Sequence, residues 1–165
     1  MTLRLVVMRH AKSDWESGVA SDHERPLNAR GRAAAPKIAQ RLVDLGWTPA
    51  VVRGSDSRRT RETFEFMRPE LPEVEDVLFS RTLYLAGPRE LVSVLVGLSE
   101  TDTPVLALGH NPGWQEAVEY FAGTYIALTT GNAALLSIEA DHWPDGLRRE
   151  HHWKLVDVLR PKDGE

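Results

Sequence analysis

The sequence predicts an α/β protein with a mostly parallel central sheet and helices on both faces. Three observations carry that reading. Short apolar runs recur along the chain, each long enough for a strand and too short for a helix. Stretches with helical spacing separate them, which implies crossover units and parallel pairing. Two further runs stand close together near the end and add an antiparallel contribution.

The elements follow in order. Residues 3–8 are Leu- and Val-rich and read as a buried strand. Residues 9–27 hold Gly18, Pro26 and many charges, and read as a long loop. A helix follows, with Ala35, Ile38, Ala39, Leu42 and Leu45 on one face and Gly46 as its stop. Pro36 either kinks this helix or lies in its first turn. Residues 50–53 form a second strand, and 59–67 a second helix closed by Pro69. A short strand is expected at 74–77 and a helix at 88–98, with Leu91, Val92, Leu95 and Leu98 aligned. Residues 104–108 form a buried strand and 112–122 a helix. Strands at 132–138 and 152–159 pair as a hairpin across a loop around Trp143-Pro144-Asp145-Gly146. Residues 160–165 are polar and expected to fray.

Composition bounds the function. A length of 165 residues suits one domain, spanning 1–165, with a core that needs no staple. The absence of cysteine removes disulfides, thiolate nucleophiles and Cys-based zinc sites. A net charge of −4 gives no footprint for nucleic acid or an anionic membrane. The N-terminal apolar run is broken by Arg4 and ends at Arg9, too short for a signal segment or a span. The expectation is a cytoplasmic protein with no nucleic-acid or membrane partner. No metal is implied, since no His-x-x-x-His or His-Glu-x-x-His occurs. No cofactor is implied either; the loop after His10 lacks the Gly-Lys-Ser/Thr of a Walker loop.

Chemistry concentrates at two strand ends. Leu5-Val6-Val7-Met8 runs directly into Arg9-His10, and Val105-Leu106-Ala107-Leu108 into Gly109-His110-Asn111-Pro112-Gly113. Ligands of open α/β sheets bind beyond the carboxyl ends of strands, so both histidines stand where chemistry is expected. A third strand end leads into Gly54-Ser55-Asp56-Ser57-Arg58-Arg59-Thr60-Arg61, with four arginines between 53 and 61. A helix N-terminus disfavours cations unless an anion binds nearby. A phosphate there would satisfy both the helix amides and an arginine.

These residues resemble the histidine phosphatase superfamily, the phosphoglycerate-mutase-like phosphatases. Arg9-His10-Ala11 is similar to its Arg-His-Gly signature, with Ala where Gly is usual. Ser55-x-Ser57-x-Arg59-Thr60-x-x-Thr63 resembles its second-arginine motif, and Gly109-His110-Asn111-Pro112-Gly113 its second-histidine motif. Within the superfamily the chain looks most like the SixA-type phosphohistidine phosphatases. That likeness rests on Arg9 to Trp15, Asp22-x-x-Arg25-Pro26-Leu27-Asn28-x-x-Gly31, Leu83-Tyr84-x-Ala86, Thr130-Gly131 and Leu159-Arg160-Pro161-Lys162.

The resemblance implies a phosphoglycerate-mutase-like fold and metal-independent phosphoryl transfer through a phosphohistidine. It makes His10 the nucleophile, with Arg9, Arg59 and His110 binding phosphate; spacing alone does not rank the two histidines. A neutral ring nitrogen must face phosphorus, and the other nitrogen should donate to a carbonyl or carboxylate. Arg9 and Arg59 supply permanently charged forks, and His110 a third donor, protonated when a dianion is bound. Ser13 is read as a further phosphate ligand. Arg25 is read as a structural partner of Asp22, and Gly113 as a point of close backbone approach. The tryptophans, Trp15 among them, are read as core or rim packing.

One family feature is missing. Many members carry a glutamate after a leucine mid-chain as the proton donor; here Leu83 is followed by Tyr84. Asp14, Asp22 and Glu90 are possible substitutes, each more simply a solvated surface carboxylate. Alcohol leaving groups need general-acid help, worth about 100- to 10,000-fold, whereas an imidazole leaves phosphorus more readily. The expected substrate is therefore a phosphohistidine protein, such as a histidine phosphotransfer domain. The alternatives are a small phosphorylated metabolite or a phosphate-binding module without turnover. The short chain leaves little room for a lid, with residues 11–25 the only obvious cover.

Overall fold

The computed structural model describes residues 1–161. The strand β1 (Thr2–Arg9) leads through a long loop to α1 (Ala29–Asp44), β2 (Val51–Ser55) and α2 (Arg58–Met67). Next come β3 (Asp76–Ser80), α3 (Pro88–Leu95), β4 (Val105–Gly109) and α4 (Gly113–Ala122). The chain closes with β5 (Ala133–Glu139), α5 (Trp143–Leu147) and β6 (Lys154–Leu159). One six-stranded sheet forms, in the order β3-β2-β4-β1-β5-β6. The pairs β3–β2, β2–β4 and β4–β1 are parallel, while β5 runs antiparallel to both β1 and β6.

Two cores follow from the alternation of side chains along β1. Leu3, Leu5 and Val7 face the layer holding α3, α4 and α5, with Trp114, Phe121 and Trp143 buried there. Val6 and Met8 face the opposite layer, where Ile38 and Leu42 of α1 and Phe64 and Met67 of α2 are buried. The central strand β4 is buried throughout. The expected fold class is the one observed, and the hairpin of the last two strands forms.

Several boundaries differ from expectation. Asn28 caps α1 by accepting from the Gly31 amide at 2.9 Å, so the helix begins well before Pro36 and runs through it. The third strand lies at Asp76–Ser80 rather than 74–77, because its register is set by pairing with β2 at the sheet edge. The loop around Trp143 folds into α5, with Pro144 in its first turn and Trp143 fully buried. Of the expected frayed tail and of the resemblance at its end, residues 162–165, Lys162 among them, lie outside the described residues. No helix among the described residues is long and apolar enough to cross a membrane.

Candidate active site

The parallel register of β1 and β4 sets Arg9 opposite Gly109, so His10 and His110 emerge side by side at one sheet edge. The His10 amide donates to the Gly109 carbonyl at 3.0 Å, tying the two strand ends together. The ring centroids of the histidines stand 5.3 Å apart. Both side chains are buried.

The second-arginine motif closes the site, and each of its hydroxyls has a task. Ser55, at the end of β2, meets His110 Nε2 at 2.8 Å. Ser57 is the N-cap of α2, its oxygen accepting from the Thr60 amide at 3.4 Å. Thr63, one turn after Arg59, donates to the Arg59 carbonyl at 2.7 Å and accepts from the Ala11 amide at 3.0 Å. It thereby fastens the backbone beyond His10 to α2. The four arginines divide in the same way. Arg53 pairs with Asp76 at 2.7 Å, Arg58 with Glu62 at 3.1 Å, and Arg61 donates to the Asp56 carbonyl at 2.9 Å. Only Arg59 turns to the histidines.

Arg59 Nε–H donates to His10 Nε2 and an Nη2 proton to His110 Nδ1, both at 3.3 Å. The two nitrogens facing Arg59 are therefore acceptors. His10 Nδ1–H donates to the Ala11 carbonyl at 2.7 Å, which supplies the backbone acceptor expected for a fixed tautomer. Burial pushes His10 down to about 3, and His110, Arg59 and Arg9 add to that against the pull of the Ala11 bond. Burial likewise pushes His110 down to about 3, with Arg59 the next cause. With protein neighbours alone, both rings are neutral at pH 7. A dianion among them would favour the protonated form of His110, the form that the expected donor role calls for.

Arg9 donates to the Leu128 carbonyl at 3.1 Å, and its Nε is buried without a partner. Burial first, then Arg59, lowers its affinity for the proton. An orphaned guanidinium N–H beside a second arginine is what an anion site needs.

Asp22 is exposed, as expected of a surface carboxylate, yet it also reaches the site. Its carboxylate accepts from Arg59 at 3.0 Å, from Arg25 at 2.8 Å and from the Tyr84 hydroxyl at 2.5 Å. Its carbonyl accepts from Arg59 Nη1 at 2.8 Å. Burial alone would raise this carboxyl, but the bonds from Arg25, Tyr84 and Arg59 outweigh it and hold it well below the usual carboxylate range. The loop 11–25 thus grips the arginine that faces both histidines. Only the i, i+3 spacing of Asp22 and Arg25 hinted at this. The expected pairing of Arg25 with Asp22 is present.

Ser13 is buried, and its hydroxyl accepts from Arg25 rather than touching either histidine. Asp14 accepts from the Glu16 amide, and Glu90 from the Gly87 amide at the start of α3, both at 2.9 Å. Tyr84 lies edge-on to His110 at 5.5 Å, and burial followed by the Asp22 bond raises its phenol. His23 borders the site through Asp56, at 2.7 Å, while His142, His151 and His152 are exposed. Of the two places expected for the tryptophans, core or rim, Trp15 is outside the core. It is 80% exposed, with the Arg25 guanidinium 3.5 Å over its ring. Gly113 behaves as expected: a Cβ there would stand 1.7 Å from the Ala86 carbonyl oxygen.

Comparison with known proteins agrees with this geometry. The model of the histidine phosphatase superfamily (branch 1) matches residues 5–78. An uncharacterized chloroplastic protein of Arabidopsis thaliana is 35% identical over 169 residues, covering 96% of this chain and 78% of that one. An uncharacterized protein of Mycobacterium tuberculosis is 30% identical, covering 84% of this chain and 90% of its own. Among solved structures, a SixA-named protein of Nakamurella multipartitia shares the fold at a TM-score of 0.86 and 24% identity, with 98% of each chain covered. The protein histidine phosphatase SixA complexed with tungstate does so at 0.80 and 21%, covering 98% and 97%. Motifs, fold and relatives converge on one conclusion: the chain belongs to the histidine phosphatase superfamily.

Proposed function

We propose that this phosphatase removes phosphate from protein phosphohistidine through a covalent intermediate on His10. In the first step His10 Nε2 attacks phosphorus and the bond to the leaving imidazole nitrogen breaks, that nitrogen taking a proton from solvent. Water then attacks phosphorus, the His10 bond breaks, and inorganic phosphate leaves with His10 restored. Arg9, Arg59 and protonated His110 hold the equatorial oxygens, as phosphoryl transfer requires.

The observation that supports this substrate is the state of the acids. Asp22 is held ionised by Arg25, Tyr84 and Arg59, and Asp14 and Glu90 serve backbone amides elsewhere. Tyr84 is pushed away from giving up its proton. A site whose carboxyls and phenol are not ready to donate to the leaving group suits one that departs without such help. The SixA likeness supports the same reading.

A second reading, a small phosphorylated metabolite, is favoured by one observation. His10, Arg59 and His110 are each at most 5% exposed, beneath the loop that carries Asp22. A solved glucosyl-3-phosphoglycerate phosphatase shares the fold at a TM-score of 0.62 and 17% identity.

Rapid quench with a ³²P-phosphohistidine protein and with an alkyl phosphate tests both. The expected result is transient label on His10 and turnover of the protein at least ~100-fold faster than of the ester. Label on another residue would sink the mechanism. Comparable turnover of the ester would favour the metabolite reading.

A further inference from the structure

We propose that Gln115 and Asn111 are positioning residues for phosphoryl transfer. Together they fix the backbone of Leu128, whose carbonyl aims the Arg9 guanidinium. The inference rests on Arg9 holding phosphate, as proposed above.

The two phosphate-facing arginines are anchored differently. Arg59 is held by a carboxylate, that of Asp22. Among the described residues Arg9 pairs with no carboxylate; its Nη1 donates to the Leu128 carbonyl at 3.1 Å. A neutral acceptor orients the fork and leaves its full charge for an anion. That carbonyl belongs to an irregular segment, residues 124–129, where no helix or strand ladder fixes the backbone.

Two side chains at the entry to α4 take over that task. Gln115 Oε1 accepts from the Leu128 amide at 2.8 Å. Asn111 Nδ2 donates to the Leu128 carbonyl at 2.7 Å and to Gln115 Oε1 at 2.9 Å. The ring closes with its bonding capacity filled. Both protons of Asn111 Nδ2, both lone pairs of Gln115 Oε1 and both of the Leu128 carbonyl are in use, the last pair shared with Arg9. The Leu128 side chain, buried in the core that holds Trp114 and Phe121, secures the segment from its other side.

Asn111 bears a cost that a turn alone would not require. Its Oδ1 is buried without a partner, because turning the amide round would set that oxygen against two acceptors. Arg9 Nε is buried without a partner as well. The network thus tolerates one unmet acceptor and keeps one donor of Arg9 free for substrate. Asn111 directly follows His110, so a single helix entry sets the second histidine and, through Leu128, the first arginine.

Steady-state kinetics with p-nitrophenyl phosphate on the full chain test this by a double-mutant cycle. Four chains are compared: the natural one, Gln115→Leu, Arg9→Ala, and the two changes combined. Gln115 is half-buried on α4, and leucine is a good helix former, so the first variant should keep its circular dichroism spectrum. Gln115→Leu should lower kcat/KM by at least ~10-fold in the natural chain and by less than ~2-fold beside Arg9→Ala. Gln115→Glu keeps an acceptor for both the Leu128 amide and Asn111, and should recover most of the loss. Equal losses in both backgrounds, or no loss in the natural chain, would overturn the positioning role and leave the site assignment intact. Undiminished turnover in Arg9→Ala would instead overturn the assignment of Arg9 to the phosphate, and the positioning role with it.

Discussion

The two histidines at the sheet edge look alike until the far side of each ring is compared. Both follow central parallel strands, both are buried, and both face Arg59 at 3.3 Å. His10 turns its other nitrogen to the Ala11 carbonyl, and His110 turns its own to the Ser55 hydroxyl. A carbonyl only accepts, so it fixes one tautomer and leaves His10 Nε2 with a lone pair. A hydroxyl donates or accepts, so it accommodates either neutral tautomer of His110 as well as the protonated ring. The difference suits one ring to attack phosphorus and the other to donate to its oxygens. It ranks residues that sequence spacing left equal.

The strongest way to break this comparison is to exchange the rings' fates. His10→Ala should abolish turnover and covalent label, whereas His110→Ala should slow turnover by ~100- to 1000-fold and keep the label on His10. Label on His110 in the first variant would reverse the assignment. Quenched-flow measurement with ³²P substrate reads both.

Acid stability tests the shared feature, the neutral buried rings. Both histidines titrate at about 3 in the folded chain, below their ordinary value. Their contribution to stability is therefore full above pH ~6.5 and is lost as pH falls toward 3, because the unfolded chain takes up protons first. Each can contribute a slope of up to about 1.4 kcal/mol per pH unit. Urea midpoints at pH 7 and pH 4.5 should differ less in a His10→Gln chain than in the natural one; an equal difference would mean that His10 is charged.

Ser55→Ala sharpens the difference itself. It removes the partner of His110 Nε2–H and leaves His10 untouched. The protonated ring loses more than the neutral one, so the alkaline limb of kcat should move to lower pH, with kcat down by about 10-fold at its optimum. An unmoved limb would detach His110 from the proton-dependent step.

The smallest effect concerns the clamp over both rings. Asp22 occupies both Nη groups of Arg59 and is part-exposed to solvent, so its hold is screened. Asp22→Asn should lower KM by about 5-fold with kcat changed less, since a neutral amide competes poorly with phosphate for the guanidinium. A raised KM would recast Asp22 as a residue that positions Arg59 rather than one that competes for it.

Much of this was legible in the chain. The short apolar runs announce β1, β2 and β4, since strands buried on both faces need no polar alternation. The three motifs place Arg9, His10, Arg59 and His110 at strand and helix ends, where backbone geometry forces their side chains toward one edge. The exposed edge strand β3 was misplaced, because a strand exposed along one side has little apolar signal and takes its register from β2. The helix α5 was missed because Trp-Pro-Asp-Gly carries turn chemistry, and burial of Trp143 decides otherwise.

The sequence by itself determined the layer architecture, the two histidines with their arginines, and the absence of a thiolate route. These follow from local pattern and residue type. Tertiary structure alone decided what each ring's second nitrogen meets, that Asp22 holds Arg59 from the exposed loop, and that Lys12, Arg30, Lys37 and Arg160 share one cavity. Apart from the bond of His10 to its neighbour Ala11, those contacts join segments apart in the chain, and a hydrogen bond or a summed field depends on distance and direction in space, for which sequence spacing holds no measure.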